Sequence, residues 1–281
     1  MIITELRQIH KLADLLSFAH LPRSVHYYHL AQEKKEDKYS SIKKQIQEIY
    51  HANKGRYGYR RITLALKNLG LKINHKTVYR LMNCLGLVCR VRMKKYKSYR
   101  GSVGKIATNV IARDFKADKP NKKWATDVTE FSLFGKKLYL SPILDMYNGE
   151  IISYDVSSRP NFNQIITMLN KAFDKVKDTK GIILHSDQGW QYQTKQYQGI
   201  LKDKEMIISM SRKGNCLDNA VIENFFGHVK SELLYLMEFT SIEQFELELI
   251  SYLEYYNHSR ISSKLKGLTP VQYRNQSLLA S

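Results

Sequence analysis

Three carboxylates beyond residue 120 of this 281-residue chain stand in surroundings unusual for surface acids. Asp127 lies within an apolar, β-type run beside Trp124, Val128 and Phe131, and Asp187 follows the run Ile182-Ile183-Leu184-His185-Ser186. A carboxylate in or at the end of an apolar strand needs a partner to offset its desolvation. Taken singly, each is also what a strand-end turn provides; a third acid changes the reading. Glu223 sits on a helical stretch among Val221, Ile222, Phe225 and Phe226, with no Lys or Arg beside it before Lys230. That lysine is two turns on, on nearly the same face and ~10 Å along the axis. Carboxylates from a strand, a strand end and a helix are what a pair of hard divalent cations requires. Mg²⁺ takes a few carboxylate oxygens and keeps positions open for water and phosphate. Two such ions roughly 3.5–4 Å apart activate the attacking oxygen and stabilise the leaving oxygen of an in-line displacement. The chemistry indicated is therefore attack on a phosphodiester, with no histidine or cysteine ligand needed.

The elements that must position these acids follow from periodicity. Short β-type runs cover Trp124 to Leu133, Leu138 to Met146 and Glu150 to Ser157, punctuated by Phe134-Gly135 and Asn148-Gly149, the second being a strong hairpin signal. Three sequential antiparallel strands are expected, with Asp127 inside the first. A helix over Asn163 to Lys175, a strand over Gly181 to His185, a helix near Thr194 to Leu201 and a strand over Met206 to Met210 follow. This order predicts an α/β fold, a mixed sheet with helices on its faces.

The preceding part of the chain supplies charge. Of a net charge of +19, the first 120 residues carry +18, and between Ile49 and Arg113 there are sixteen Lys or Arg and no acid. A surface built only for solubility mixes both signs; this one suits a polyanion, whose neutralised phosphates release counterions. Within it, Tyr59 to Asn68 predicts a helix with Ile62, Leu64, Ala65, Leu66 and the adjoining Leu69 inward and Arg60, Arg61 and Lys67 exposed. After a turn with Asn74 or Thr77 as N-cap, Thr77 to Leu85 predicts a second. A helix-turn-helix results, with Lys76, Thr77, Tyr79 and Arg80 at the front of its second helix. Arg90 to Lys105, including Lys94 and Lys95 and interleaved with Tyr96 and Tyr99, suits a linker that tracks a nucleic-acid backbone. Residues 1 to 48 read as further helix, with Leu6, Ile9, Leu12, Leu15 and Leu16 at helical spacing and a second segment from Tyr39 to Tyr50. The expected organisation is a helical segment (1–48), a basic helix-turn-helix-like region (49–90), a basic linker (91–120) and the α/β part (121–281). Cys84, Cys89 and Cys216 match no zinc spacing, no window is apolar enough for a membrane span, and a reducing cytoplasm is expected.

With these residues in hand, the sequence resembles the DDE transposases of bacterial insertion sequences, in the retroviral-integrase superfamily of ribonuclease H-like folds. From Asp187 to Glu223 there are 35 intervening residues, the family's second interval, and Lys230 holds its basic position seven after the Glu. Trp-Ala-Thr-Asp-Val-Thr at 124–129, His-Ser-Asp-Gln-Gly at 185–189 with Tyr192, Ser-Arg-Lys-Gly-Asn at 211–215, Asp218-Asn219-Ala220 and Tyr57-Gly58-Tyr59-Arg60-Arg61-Ile62 also match. The likeness runs from about Lys54 to Tyr273.

The resemblance implies that Asp127, Asp187 and Glu223 form a metal-binding catalytic triad for two Mg²⁺, for which Mn²⁺ can substitute. It implies a DNA contact for Lys230 and support from His185, Gly189, Asn215 and Asn219. Tyr255-Tyr256-Asn257 and Thr269-Pro270-Val271-Gln272-Tyr273 are expected to close the fold. The implied activity is nicking of double-stranded DNA at the ends of a mobile element and joining of the freed 3′-hydroxyl, by a homo-oligomer on DNA associated with the nucleoid. In the branch most resembled, transposase is commonly a fusion of two reading frames, so the chain is expected to be the downstream product and the upstream product a possible partner. The rival expectation is a non-catalytic DNA-binding regulator of transposition.

Overall fold

The computed structural model describes residues 2–33, 37–91, 107–212 and 216–279. It divides into two compact units, Met1–Ile49 and Tyr50–Ser281. The first unit is helical, as its periodicity predicts, but in more pieces: α1 (Ile2–Leu6), α2 (Leu12–Phe18), α3 (Arg23–Glu33) and most of α4 (Ser40–Ala52). The stripe from Leu6 to Leu16 is broken between α1 and α2, and Pro22 opens α3 at a position where its missing N–H costs nothing.

The second unit begins with the helix-turn-helix, α5 (Tyr59–Asn68) and α6 (His75–Cys84). Ile62, Leu66, Val78, Leu81 and Met82 are buried, whereas Leu69, expected inward, is 60% exposed just past the end of α5. Asn74 is the N-cap, its side chain accepting from the Lys76 N–H at 2.8 Å, so α6 starts two residues earlier than Thr77.

The sheet contains β1 (Lys123–Thr126), β2 (Thr129–Leu133), β3 (Lys136–Asp145), β4 (Ile151–Ser157), β5 (Ile183–Ser186) and β6 (Ile207–Met210). β3 pairs antiparallel with β1, β2 and β4, while β5 and β6 continue parallel from β1. The tight hairpin turn falls at Phe134-Gly135, both residues at positive φ, which matches the twist of the flanking strands. Asn148-Gly149 lies in the wider connection between β3 and β4.

Asp127 is not inside a strand but in a gap between two. The pairs Trp124–Asp145 and Thr129–Leu140 keep one register, so β1 and β2 are a single path along β3 whose ladder opens at Asp127-Val128. The bond from Met146 N to Lys123 O fixes the parity and puts Asp127 opposite Pro142. Proline has no N–H to donate, so the ladder fails at this position.

The two faces of the sheet bury separate cores. Trp124, Ile143, Ile152 and Leu184 pack with α7 (Phe162–Lys175) and α8 (Lys195–Asp203). Ala125, Phe131, Leu140 and Ile151 pack with α9 (Ala220–Val229) and α10 (Ile242–His258). The C-terminal motifs close the fold: Asn257 exchanges two bonds of 2.9 Å with the Ile151 backbone, and Asn148 donates to Pro270 O at 2.8 Å beside α11 (Pro270–Leu279).

Candidate active site

Strand register brings two of the three acids together. β1 and β5 run parallel with Lys123, Trp124 and Ala125 beside Ile183, Leu184 and His185, and the same register carried two residues on sets Asp127 next to Asp187. Side chains alternate along a strand, so Asp127 follows Ala125, and Asp187 follows His185, onto the α9 face. α9 turns Ile222, Phe225, Phe226 and Val229 into the core and leaves Glu223 half-buried. Lys230 follows at the start of a single π-helical turn, Lys230–Leu234.

The backbone holds the two aspartates. Asp127 Oδ1 accepts from the Val128 N–H at 2.7 Å and Oδ2 from Asn219 Nδ2 at 3.1 Å. Asp187 Oδ1 accepts from the Gly189 N–H at 2.8 Å. A Cβ at Gly189 would lie 2.7 Å from Gln191 Nε2 and 2.9 Å from Asp187 Oδ1, so a larger residue here would have to displace those two side chains.

The electrostatics are those of crowded like charge. Burial, then the charge of Asp187, pushes the Asp127 carboxyl well above the usual range; Glu223 adds to this, while the Val128 N–H and Lys230 oppose it. Burial raises Asp187 against the Gly189 hydrogen bond, and burial with Asp187's charge raises Glu223. Burial lowers Lys230, offset by Asp127. As placed, no three His, Cys, Asp or Glu side chains among the described residues stand close enough to hold a metal ion. In donor type and charge the set nevertheless fits a hard divalent cation: oxygen ligands only, mutually repelling, two of them buried side by side.

Around the acids lies a layer of fixed polar groups. His185 is buried, with Nε2 2.8 Å from Asp218 O and Nδ1 2.9 Å from Ser209 Oγ. A carbonyl can only accept, so Nε2 carries the proton and Nδ1 accepts from the serine. Burial keeps this imidazole below its ordinary pKa, hence neutral. Asp218, quoted above only as part of a motif, is the hub: it accepts two bonds from the Arg212 guanidinium (2.8 and 2.9 Å), one from Arg113 (2.9 Å) and one from Asn109 (3.0 Å). The Arg212 guanidinium, first among these, holds its carboxyl far below the usual range. Asp218 thereby fixes Asn219, which touches Asp127. Its signal in the sequence was a carboxylate six residues after Arg212, but its other partners lie over 100 residues away. Asn215 lies outside the described residues.

In the helix-turn-helix, Arg60, Lys76, Tyr79 and Arg80 are exposed as expected. Tyr79 packs edge-on to Tyr59, and Arg60 sits over the Tyr59 ring. Arg61 departs from the expected exposed face. It is half-buried, with Nη1 3.1 Å from Glu232 Oε1. Glu232, 2% exposed, also takes two bonds from Arg260 and one from Tyr252, and Arg56 Nε donates to its backbone carbonyl at 2.9 Å. A buried carboxylate needs such donors, and it draws Arg61 inward. Lys94 and Lys95 lie outside the described residues.

A mixed sheet flanked by helices, preceded by a helix-turn-helix, is the frame onto which the matching families fall. The integrase core domain family matches residues 117–216 and a second integrase core domain family matches 223–278; an HTH-like domain family matches 37–95. The chain is 55% identical over 278 residues to the putative transposase InsK for insertion sequence element IS150 of Escherichia coli (strain K12), covering 99% of this chain and 98% of that protein. It is 53% identical to an uncharacterized transposase-like protein of Haemophilus influenzae (strain ATCC 51907 / DSM 11121 / KW20 / Rd), over 74% of this chain and 96% of the relative. The HTLV-2 integrase catalytic core domain, solved in complex with magnesium, aligns with a TM-score of 0.45 at 17% identity, over 56% of this chain and 98% of that one. The chain belongs to the insertion-sequence transposases that carry an integrase core. No helix among the described residues is long and apolar enough to cross a membrane.

Proposed function

We propose that this chain cleaves double-stranded DNA at the ends of an insertion sequence and joins the freed 3′-hydroxyl to a new phosphodiester, with Asp127, Asp187 and Glu223 as the metal-binding residues. The observation that carries the reading is the β1–β5 register, which sets Asp127 beside Asp187 on the face that α9 covers with Glu223. Two Mg²⁺, or Mn²⁺ in their place, would supply charge neutralisation at the attacked phosphate.

The chain's own groups do the positioning. Lys230 brings a cation to the acid set from the same helix path as Glu223, suited to a DNA phosphate. Arg60, Lys76, Tyr79 and Arg80 give the helix-turn-helix an exposed basic and aromatic edge for duplex DNA. The nearby hydroxyls are poor nucleophiles: Ser186 Oγ donates to Asp187 O, while Tyr192 and Tyr197 are fully buried with their hydroxyls pushed far up by that burial. This favours water and then a DNA 3′-hydroxyl as nucleophiles, with no covalent protein intermediate. Joining two ends calls for a homo-oligomer on DNA; the upstream-frame product is a further partner, and the nucleoid the place of action.

The test is nicking of supercoiled plasmid by the purified chain in Mg²⁺ or Mn²⁺, beside Asp187→Asn. Metal-dependent nicking by the wild type, lost in the variant, is the expected result. Two inert proteins that still bind DNA would overturn it in favour of the regulator. A second expectation concerns Asn219→Ala, which removes the bond to Asp127 Oδ2. Loss of such an outer partner should raise the Mn²⁺ needed for half-maximal nicking about 10–100-fold; an unchanged metal titration would show that Asn219 does not orient Asp127.

A further inference from the structure

The loop that follows Asp187 presents an aromatic surface to solvent. Trp190 is 57% exposed, whereas the other tryptophan, Trp124, is fully buried. Single exposed apolar side chains are ordinary, but this one is held out on a pinned turn. In Trp190–Gln193, the Tyr192 N–H donates to Gly189 O at 3.1 Å, Gln193 Nε2 donates to Gln188 O, and Thr194 Oγ1 donates to Gln191 O at 3.1 Å. The Tyr192 ring is buried edge-on against Tyr197. The turn that carries the indole is thus fixed on both sides of Trp190.

Beneath it is a cavity of about 370 Å³, with Val128 and Ile165 in its lining and the amides of Asn161 and Gln191 beside them. That volume is at the small end of ligand sites. Its acid, Glu130, is already engaged by Tyr139 Oη (2.9 Å) and Lys137 Nζ (3.1 Å), so it demands no cationic ligand. An indole face, an apolar floor, the Gln191 amide and the NH₂ of Asn161, whose carbonyl already caps α7 by accepting from the Gln164 N–H at 3.0 Å, suit a flat, uncharged heterocycle. Val128 directly follows Asp127 in the gap where the ladder opens, and alternation sends the two side chains to opposite faces of the sheet. With Val128 next to Asp127 and Trp190 three residues after Asp187, the cavity borders the gap at which the two aspartates stand.

We propose that Trp190 and this cavity receive one unpaired DNA base next to the phosphodiester being attacked, the base stacking on the indole and its edge meeting Asn161 or Gln191. The proposal rests on the reading of the acids as a DNA-processing site. Stacking is sequence-tolerant, because every base has a π-face, so the pocket recognises that a base is unpaired rather than which base it is.

The test uses the full chain without divalent metal, a 20-base-pair duplex carrying one unpaired central nucleotide, and the same duplex fully paired. Trp190 emission is the difference between wild type and Trp190→Phe, which leaves Trp124. The unpaired duplex should quench it several-fold more than the paired one. Trp190→Ala should weaken binding of the unpaired duplex about tenfold and that of the paired duplex less than about twofold. Because Trp190 is exposed, the melting temperatures of the variants should match the wild type. Equal quenching by both duplexes, or equal weakening by Trp190→Ala, overturns the proposal. Plasmid nicking by the same preparation separates the two readings. Nicking without preferential quenching overturns the base pocket alone; preferential quenching without metal-dependent nicking overturns the nuclease and leaves the pocket.

Discussion

Asp127→Asn is expected to abolish metal-dependent nicking, by about 10³-fold or more, while raising the melting temperature of the metal-free protein. The two effects have one cause. At neutral pH the Asp127 charge is disfavoured by burial, by Asp187 beside it and by Glu223. An amide of the same shape removes that charge and can keep the local bonding. Its oxygen accepts from the Val128 N–H, and Asn219, whose Oδ1 is buried without a hydrogen-bond partner among the described residues, can turn its amide to accept from the new NH₂. Relief of ~1 kcal/mol corresponds to roughly 2–4 °C in a unit of this size. Added Mg²⁺ or Mn²⁺ should reverse the order. An ion at 100 times its dissociation constant stabilises by about 2.7 kcal/mol, and the variant lacks a ligand for it. Differential scanning calorimetry in EDTA and in metal, beside the nicking assay, checks both parts. A variant that still nicks removes Asp127 from the active centre. One that melts lower in EDTA shows that like charge does not dominate there.

The largest stability effect is expected at a residue the catalytic reading does not use. Glu232→Gln leaves Arg260 and Arg61 around a neutral amide in a buried site, and breaking a buried pair from one side costs about 3–5 kcal/mol. A fall in melting temperature of roughly 10 °C should follow. The pH dependence has a definite sign. Despite burial, the bonds and charge of Arg260 hold the Glu232 carboxyl down at about 2, below the ~4.3 of an unfolded chain. Its contribution is therefore complete above the unfolded value and is lost as pH falls through the folded one. The gap between wild type and variant, read from urea unfolding, should be constant from pH 7 to 5 and shrink below pH 4. A gap that widens in acid would contradict the assignment.

Much of this was legible along the chain. The strand alternation and the mixed order of elements are local patterns, and the structure follows them. The departures have tertiary causes. Asp127 reads as a strand residue because Trp124 to Leu133 is β-type throughout; the residue that interrupts its ladder is Pro142, on the partner strand. Arg61 lies on the polar side of its own helix, and only a carboxylate 171 residues later draws it inward. Asp218 is visible in the sequence only as part of a motif; its role as a hub depends on Asn109 and Arg113, more than 100 residues earlier. Helical periodicity in residues 1 to 48 identifies the class of structure but not the break before α2, where no strong local signal stands.

The Glu232 cluster also limits how these transposases can be recombined. Arg56 and Arg61 belong to the segment that carries the helix-turn-helix, while Glu232 lies on the π-helical turn after α9, Tyr252 on α10 and Arg260 just beyond its end. A DNA-reading segment attached in this way is not a detachable cassette. Grafting residues 50–91 from a relative onto this core would strand a buried carboxylate unless Arg56 and Arg61 came with it. Under the DNA-binding reading proposed above, changes of end recognition are therefore easiest at Lys76, Tyr79 and Arg80 of α6, which are exposed and lie outside the Glu232 cluster.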